Sequence, residues 1–150
     1  MMSNIFKNRL KNQKLTSPDI EGGTSYPGRV TKSVTGNLSL AECSGIIVDN
    51  YGQTAPMTLT LPAACDQINF QFEVVTTGFA IYLKAASGNK FYHNGVALDN
   101  GDKIGVVSPV VGDCVWIEGM RTGASTYDLR SVSGQKDCLE IAYPWVDSGA

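Results

Sequence analysis

Histidine, metal-binding motifs and long apolar runs are scarce in this 150-residue chain. No stretch approaches the ~18 uninterrupted apolar residues of a membrane-spanning helix. Charged residues make up 17% of the sequence, below the roughly 25% of an average soluble protein. No two cysteines have the C-x-x-C spacing of zinc or redox sites. We therefore expect no membrane helix and no metal, and largely buried free thiols at Cys43, Cys65, Cys114 and Cys138.

Residues that could carry catalysis are also few. The only histidine, His93, lies in a Tyr-His-Asn-Gly turn and has no nucleophile motif beside it. Asp99 and Asp102 flank Asn100-Gly101, which is a favourable hairpin turn with too few oxygen ligands for calcium. The chain contains neither a glycine-rich phosphate loop nor a G-x-S-x-G motif. We expect a protein that is not an enzyme and that needs no cofactor.

Positive charge is concentrated at the N-terminus. Residues 1–37 carry six basic and two acidic side chains, a net charge of +4, whereas the remainder has a net charge of −6. The first 15 residues lack the apolar core of a secretory signal, which predicts synthesis in a cytoplasm. The prolines and glycines of residues 17–29 exclude a sustained helix. We predict a flexible arm over 1–37 that is either a solubilising tail or orders on a partner surface. Nucleic acid is a weak candidate partner because the remaining chain is acidic.

From residue 38 onward the apolar pattern has a period of two. Ile68–Val74 alternates cleanly, Met57–Leu61 does the same, and Phe79, Ile81 and Leu83 share a face. The turn Thr76-Thr77-Gly78 predicts a hairpin between 68–75 and 79–85. Further strands are predicted at 45–49, 90–92, 103–108, 114–118, 126–132 and 139–142. Short strands at this spacing indicate an all-β fold, an antiparallel sandwich or barrel of jelly-roll type over 38–142, followed by a tail over 143–150.

Two strands carry apolar side chains on both faces. In 114–118, Val115 and Ile117 share one face while Cys114 and Trp116 share the other. In 79–83, Tyr82 points to the opposite face of the strand from Ile81 and Leu83. Such strands are either buried on both sides within one domain or packed on a neighbouring subunit. Tyr82, Cys114 and Trp116 are therefore candidate subunit-interface residues. Tyr143 and Trp145 beside Pro144 are predicted to anchor the tail, either on their own domain or on a partner.

Several of these segments together resemble a known family. The residues that carry the resemblance are GIIVDNYG at 45–52, MTLTLPAA at 57–64, INFQFEVV at 68–75, GFAIYL at 78–83, DNGDKIGVVS at 99–108 and GDCVW at 112–116. They resemble a β-rich module of tailed-bacteriophage structural proteins that occurs in capsid decoration proteins, head fibres and tail appendages. The resemblance covers roughly residues 45–117. The chain departs from the module's pattern by continuing beyond Trp116 and by carrying the basic arm.

The resemblance implies a homotrimeric virion protein without catalytic activity, assembled in the host cytoplasm and placed on the capsid surface. The major capsid protein would be its partner, and neither nucleic acid nor membrane is expected. The arm would dock on capsomers through Ile5, Phe6, Lys7, Arg9, Leu10, Lys11 and Lys14. The alternative is a tail-associated receptor- or carbohydrate-binding module that stacks host-surface glycans on Tyr51, Tyr92, Tyr127 or Trp145.

Overall fold

A computed structural model describes residues 28–135 and 145–150. Twelve strands and a single 3-10 turn, Ala41–Cys43, make up the regular structure of these residues. The strands are β1 Gly28–Thr31, β2 Gly36–Asn37, β3 Ser44–Asp49, β4 Met57–Thr60, β5 Asn69–Glu73, β6 Ile81–Lys84, β7 Phe91–His93, β8 Val96–Ala97, β9 Lys103–Val106, β10 Asp113–Arg121, β11 Tyr127–Gln135 and β12 Val146–Asp147.

The strands form two mixed sheets. The first sheet has seven strands in the order β1-β3-β5-β10-β11-β7-β8, and the second has five in the order β12-β9-β6-β4-β2. Strands β1, β3 and β5 run parallel to one another in the first sheet, and β2, β4 and β6 do so in the second. The antiparallel pairs involve the later strands, above all the long β10–β11 hairpin. The all-β fold is confirmed, and its two sheets are consistent with a sandwich.

The connection between β5 and β6 corrects one local prediction. The expected hairpin of 68–75 with 79–85 does not form, because β5 belongs to the first sheet and β6 to the second. The chain crosses between the sheets at residues 74–80, so β5 pairs with β3 and β10 while β6 pairs with β4 and β9. The same crossing recurs after β1 and β3. Each of these three connections leads from the first sheet to the second. The strands that precede the crossings therefore run parallel in the first sheet, and the strands that follow them run parallel in the second.

The core lies between the two sheets. Alternate residues of each strand point inward, so Phe70 and Phe72 of β5 and Ile81 and Leu83 of β6 are buried. Val115 and Ile117 of β10 are buried in the same core. Burying an aliphatic or aromatic side chain of this kind contributes on the order of 2 kcal/mol. The sequence periodicity predicted these inward faces correctly.

The described fold begins before residue 38. Strands β1 and β2 lie within the segment predicted as a flexible arm, and β1 pairs with β3 from Gly28↔Ile46 to Thr31↔Asp49. The boundary at residue 37 is therefore wrong for residues 28–37, which join both sheets. The arm residues Ile5, Phe6, Lys7, Arg9, Leu10, Lys11 and Lys14 lie outside the described residues, as do Cys138, Tyr143 and the predicted strand 139–142.

The sandwich has two ends that differ in what they carry. The carboxyl ends of β1, β3 and β5 lie at one end, where Gly112 N–H donates to the carbonyl oxygen of Val74 at 3.0 Å. The loops 50–56, 74–80 and 107–112 meet there, and we call them the loop tip. The amino end of β1 at Gly28 lies at the opposite end, with the β10–β11 turn. The N-terminal 27 residues therefore connect to the domain at the end away from the loop tip.

Candidate functional site

The three predicted interface residues do not form one surface. Tyr82 lies on the outer face of the second sheet, whereas Trp116 lies on the outer face of the first. The ring of Tyr82 lies directly over Gly105 of its own sheet, and Lys103 Nζ is 5.2 Å from the ring centroid. Cys114 is buried, so it offers little surface. Of the three, Trp116 alone is widely exposed, at 47% of its surface.

Trp145 is an anchor within its own domain. Its side chain is fully buried and meets Phe72 edge-on, with 5.5 Å between ring centroids. Strand β12, which follows it, pairs with β9 at the edge of the second sheet. The predicted tail therefore packs on the sandwich over the part that the structure describes. Full burial also excludes Trp145 as an exposed platform for a glycan in this structure.

Trp116 belongs to a concavity of about 390 Å³ on the outer face of the first sheet. It lies directly opposite Val132 of β11, which is also 47% exposed, and opposite Gln71 of β5. The next row along these strands is polar, with Glu118 opposite both Asn69 and Arg130. Glu118 and Arg130 form an ion pair. We call this surface the Trp116 concavity; it is lined by Asn69, Trp116, Ile117, Glu118, Arg130 and Val132.

A second ion-pair cluster joins the edge strand to this face. Arg29 donates from Nη1 to Asp49 Oδ2 at 2.8 Å and from Nη2 to Glu73 Oε2 at 3.0 Å. Burial raises the pKa of Asp49, but hydrogen bonds from Arg29, the Tyr51 N–H and Thr31 outweigh it and hold the pKa below its usual value. The hydrogen bonds of Arg29 to Asp49 and Glu73 raise the pKa of Arg29. These contacts attach β1 to β3 and β5. The charged groups of the cluster are paired with one another.

The loop tip carries no charged residue in any of its three loops. It nevertheless presents widely exposed apolar or aromatic side chains at Tyr51, Val107, Val110 and Val111, each at least 60% exposed, with Val34 of the neighbouring crossing at 70%. Clustered exposed apolar residues of this kind mark interaction surfaces. The turns are recognisable in the sequence, but their meeting at one end depends on the fold. The sequence analysis did not single out these loops, although their lack of charged residues is visible in the sequence.

Two buried amides hold the loop tip in shape. The Asn50 side chain is fully buried; its Oδ1 accepts from the N–H groups of Val75 and Thr76, and its Nδ2 donates to the carbonyl oxygen of Thr76 at 2.6 Å. Asn50 Nδ2 also donates to Gln53 Oε1, whose own Nε2 donates to the carbonyl oxygens of Ala55 and Ala80. These bonds pre-organise the 50–56 and 74–80 loops, so little conformational entropy is lost when a partner binds them.

His93 lies in a buried polar cluster rather than in an exposed turn. Its Nε2 is 2.7 Å from the carbonyl oxygen of Trp145, which can only accept, so Nε2 donates. In the neutral ring Nδ1 then accepts from the Ser131 hydroxyl at 2.8 Å. Burial lowers the pKa of His93 below its ordinary value, against the opposing effects of the Trp145 carbonyl and Asp147. Ser131 is fully buried, and these contacts join β7, β11 and the Trp145 segment.

The remaining reactive groups are separate from one another. Among residues 28–135 and 145–150, no group of three or more His, Cys, Asp or Glu side chains is placed to hold a metal ion. Cys43 and Cys114 are buried, and Cys65 is half-buried. Burial raises the pKa of Cys43 to about 12. Within the same residues, no helix has the length and apolar character needed to span a bilayer.

The candidate site therefore consists of two separate surfaces, the loop tip at one end and the Trp116 concavity on the outer face of the first sheet. Of the residues considered for glycan stacking, Tyr51 lies at the loop tip and Tyr92 on the outer face of the first sheet, opposite Arg130. Tyr127 is half-buried at the end away from the loop tip.

Comparison of this chain with family models, curated proteins and solved structures finds no match.

Proposed function

We propose that this protein is a non-enzymatic structural protein of a tailed-phage virion, a capsid decoration protein. Its N-terminal arm would dock on the major capsid protein, and its β domain would project from the capsid surface as part of a homotrimer. The proposal takes the virion setting from the resemblance over residues 45–117. The fold contributes a rigid scaffold with a ready-made contact surface at the loop tip.

The observation that carries the proposal is the loop tip itself. Four side chains that are at least 60% exposed, Tyr51, Val107, Val110 and Val111, project from loops without charge. Exposing apolar groups to water costs free energy that burial against another protein recovers, at roughly 25 cal/mol per Å². Uncharged surfaces of identical subunits can also pack against one another, because no like charges are brought together. We therefore place the contacts between subunits at the loop tip.

The position of the arm supports the same arrangement. The chain enters the domain at Gly28, at the end opposite the loop tip. Three domains joined at their tips would carry three basic arms at their far ends. Several weak arm contacts made by one assembly reinforce one another, because each later contact forms at high effective concentration.

The assembly experiment is light scattering on the purified protein during size exclusion. We expect a mass of ~48 kDa, three times that of the 16.1 kDa chain. The double variant Val110→Glu/Val111→Glu would bring carboxylates together at the contact and run near 16 kDa. The matched control is Ala124→Glu/Ser125→Glu, which adds the same charge in the exposed turn at the opposite end and keeps the trimer mass. A wild-type monomer, or a trimeric Val110/Val111 variant, contradicts the assembly proposal.

The docking experiment is co-sedimentation with purified capsids. Deleting residues 2–20 removes the seven arm residues proposed to bind and is expected to abolish capsid binding. The circular dichroism spectrum and melting temperature of the deleted protein should match those of the full chain, since the described strands begin at Gly28. Retained capsid binding by the folded deletion variant contradicts the role of the arm without affecting the assembly proposal.

A further inference from the structure

The Trp116 ring is not upright on the sheet but leans across it. A Cβ atom placed on Gly134 would be 2.8 Å from Trp116 Cζ3 and 3.4 Å from Cη2, so the far edge of the indole lies over this glycine. Gly134 pairs with Cys114 and lies two residues along β11 from Val132, the residue opposite Trp116. The missing side chain at position 134 is what makes room for the ring. The indole thereby spans two strands of the sheet while 47% of Trp116 stays open to solvent.

Hydrogen-bonding side chains lie along one side of the ring. Asn69, Glu118 and Arg130 form a row across β5, β10 and β11, with Glu118 directly opposite each of the other two. Together they provide amide, carboxylate and guanidinium groups, hence both donors and acceptors. Glu118 and Arg130 pair with each other, so the row has no net charge. Their side chains are 40% and 57% exposed and so remain accessible to a ligand.

We propose that the Trp116 concavity is a binding site for a neutral oligosaccharide. Sugars present C–H groups on the face of the ring and hydroxyl groups around its edge. The C–H groups can stack on the indole face of Trp116, and the hydroxyl groups can hydrogen-bond to the polar row. An anionic ligand would gain no net attraction from a row in which Glu118 neutralises Arg130. A purely apolar peptide would leave the charged pair desolvated without new partners.

The surface continues beyond the concavity along the same row. Tyr92 of β7 lies directly opposite Arg130, and Lys90 Nζ is 5.3 Å from the centroid of its ring. Strands β10 and β7 are separated by β11, so Trp116 and Tyr92 are on the order of 10 Å apart across the sheet. Tyr92 adds a hydroxyl group at this distance, and its ring is already covered on one side by Lys90. The site therefore favours a chain of two or more sugar rings over a single ring.

This inference does not depend on the oligomeric state or on the arm, because the Trp116 concavity lies away from the loop tip and from Gly28. It is tested on the full-length protein in two steps. The first is a glycan array that displays neutral and acidic oligosaccharides of bacterial surfaces. The second titrates the best neutral array ligand in solution and measures acrylamide quenching of tryptophan fluorescence. The chain has two tryptophans and Trp145 is fully buried, so quenching reports on Trp116.

We expect a neutral oligosaccharide to bind and to protect Trp116 from quenching. Trp116→Ala should weaken binding on the array at least tenfold, and Gly134→Ala should weaken it by a smaller factor because the added methyl group displaces the ring. Tyr82→Ala, on the outer face of the other sheet, is the matched control and should bind as the wild type does. Melting temperatures establish that each variant is folded.

Four binding results each overturn the proposal. They are an array on which nothing binds, binding to acidic glycans only, unchanged binding by folded Trp116→Ala, and a neutral ligand that leaves the quenching of Trp116 unchanged. A mass that falls in Trp116→Ala would instead identify the concavity as a contact between copies of this chain, which also overturns the saccharide assignment.

Discussion

Trp145 and Phe72 meet in an edge-to-face contact, with ring centroids 5.5 Å apart and ring planes at 74°. The contact joins the segment before β12 to the centre of β5, and both side chains are fully buried. The carbonyl oxygen of Trp145 also accepts from His93 Nε2. Because one residue contacts the core through its ring and β7 through its backbone, the C-terminal segment is part of the sandwich and not an appendage.

Replacing Trp145 should be among the most destabilising changes in the described domain. Trp145→Ala is expected to lower the free energy of unfolding by about 3–5 kcal/mol, since it leaves a large cavity beside Phe72. Trp145→Phe should cost less, because the indole Nε1 is buried without a partner among the described residues and its removal relieves that penalty. Urea unfolding followed by circular dichroism measures both. Equal losses for the two variants would show that ring volume is not the main contribution.

His93 should make stability depend on pH below neutrality. Burial lowers its folded-state pKa below the ordinary value near 6.5, so the unfolded chain binds the proton more readily. The contribution of neutral His93 to the free energy of unfolding is therefore complete above pH ~6.5. It is lost as the pH falls from there through the folded-state pKa. Urea unfolding between pH 8 and pH 5 measures the fall. His93→Gln should flatten the curve in this window, and a variant curve as steep as the wild type would assign the effect to other groups.

Asn50 should be essential to the loop tip. Asn50→Ala leaves the N–H groups of Val75 and Thr76 without their acceptor. Because these residues are half-buried, we expect each lost bond to cost about 1 kcal/mol. We expect faster hydrogen exchange at Val75 and Thr76 together with this loss of stability. Thr54→Ala, in the same loop but exposed, is the control and should change neither quantity. Unchanged exchange in Asn50→Ala would mean that the loops hold their shape without the amide.

Gly119 should not accept any side chain. A Cβ atom there would overlap the carbonyl oxygen of Cys65, where the 61–68 connection crosses β10. Since the obstructing atom belongs to the backbone, Gly119→Ala is expected to cost at the upper end of the ~1–3 kcal/mol typical of overpacking. Gly36→Ala is the matched control, because a Cβ atom at that position meets nothing within 4 Å. Thermal melting of the two variants compares them directly, and equal melting temperatures would contradict the close approach.

The sequence by itself determined which way most side chains point. A period of two assigns Phe70, Phe72, Ile81 and Leu83 to inward faces whatever their strands pair with, because alternate residues always lie on opposite sides of a strand. The same argument placed Cys114 and Trp116 on one face of their strand. Short strands separated by glycine-rich turns were likewise enough to predict an all-β fold.

Only the tertiary structure decided which strands are neighbours and which residues meet. The pattern of 68–85 suits a hairpin and a crossing between sheets equally well, since both place the same residues inward. Residue spacing could not show that Tyr82 and Trp116 face away from each other, that Gly134 makes room for the Trp116 ring, or that three uncharged loops meet at one end. These relationships join residues far apart in the chain, and they exist only once the sheets are paired.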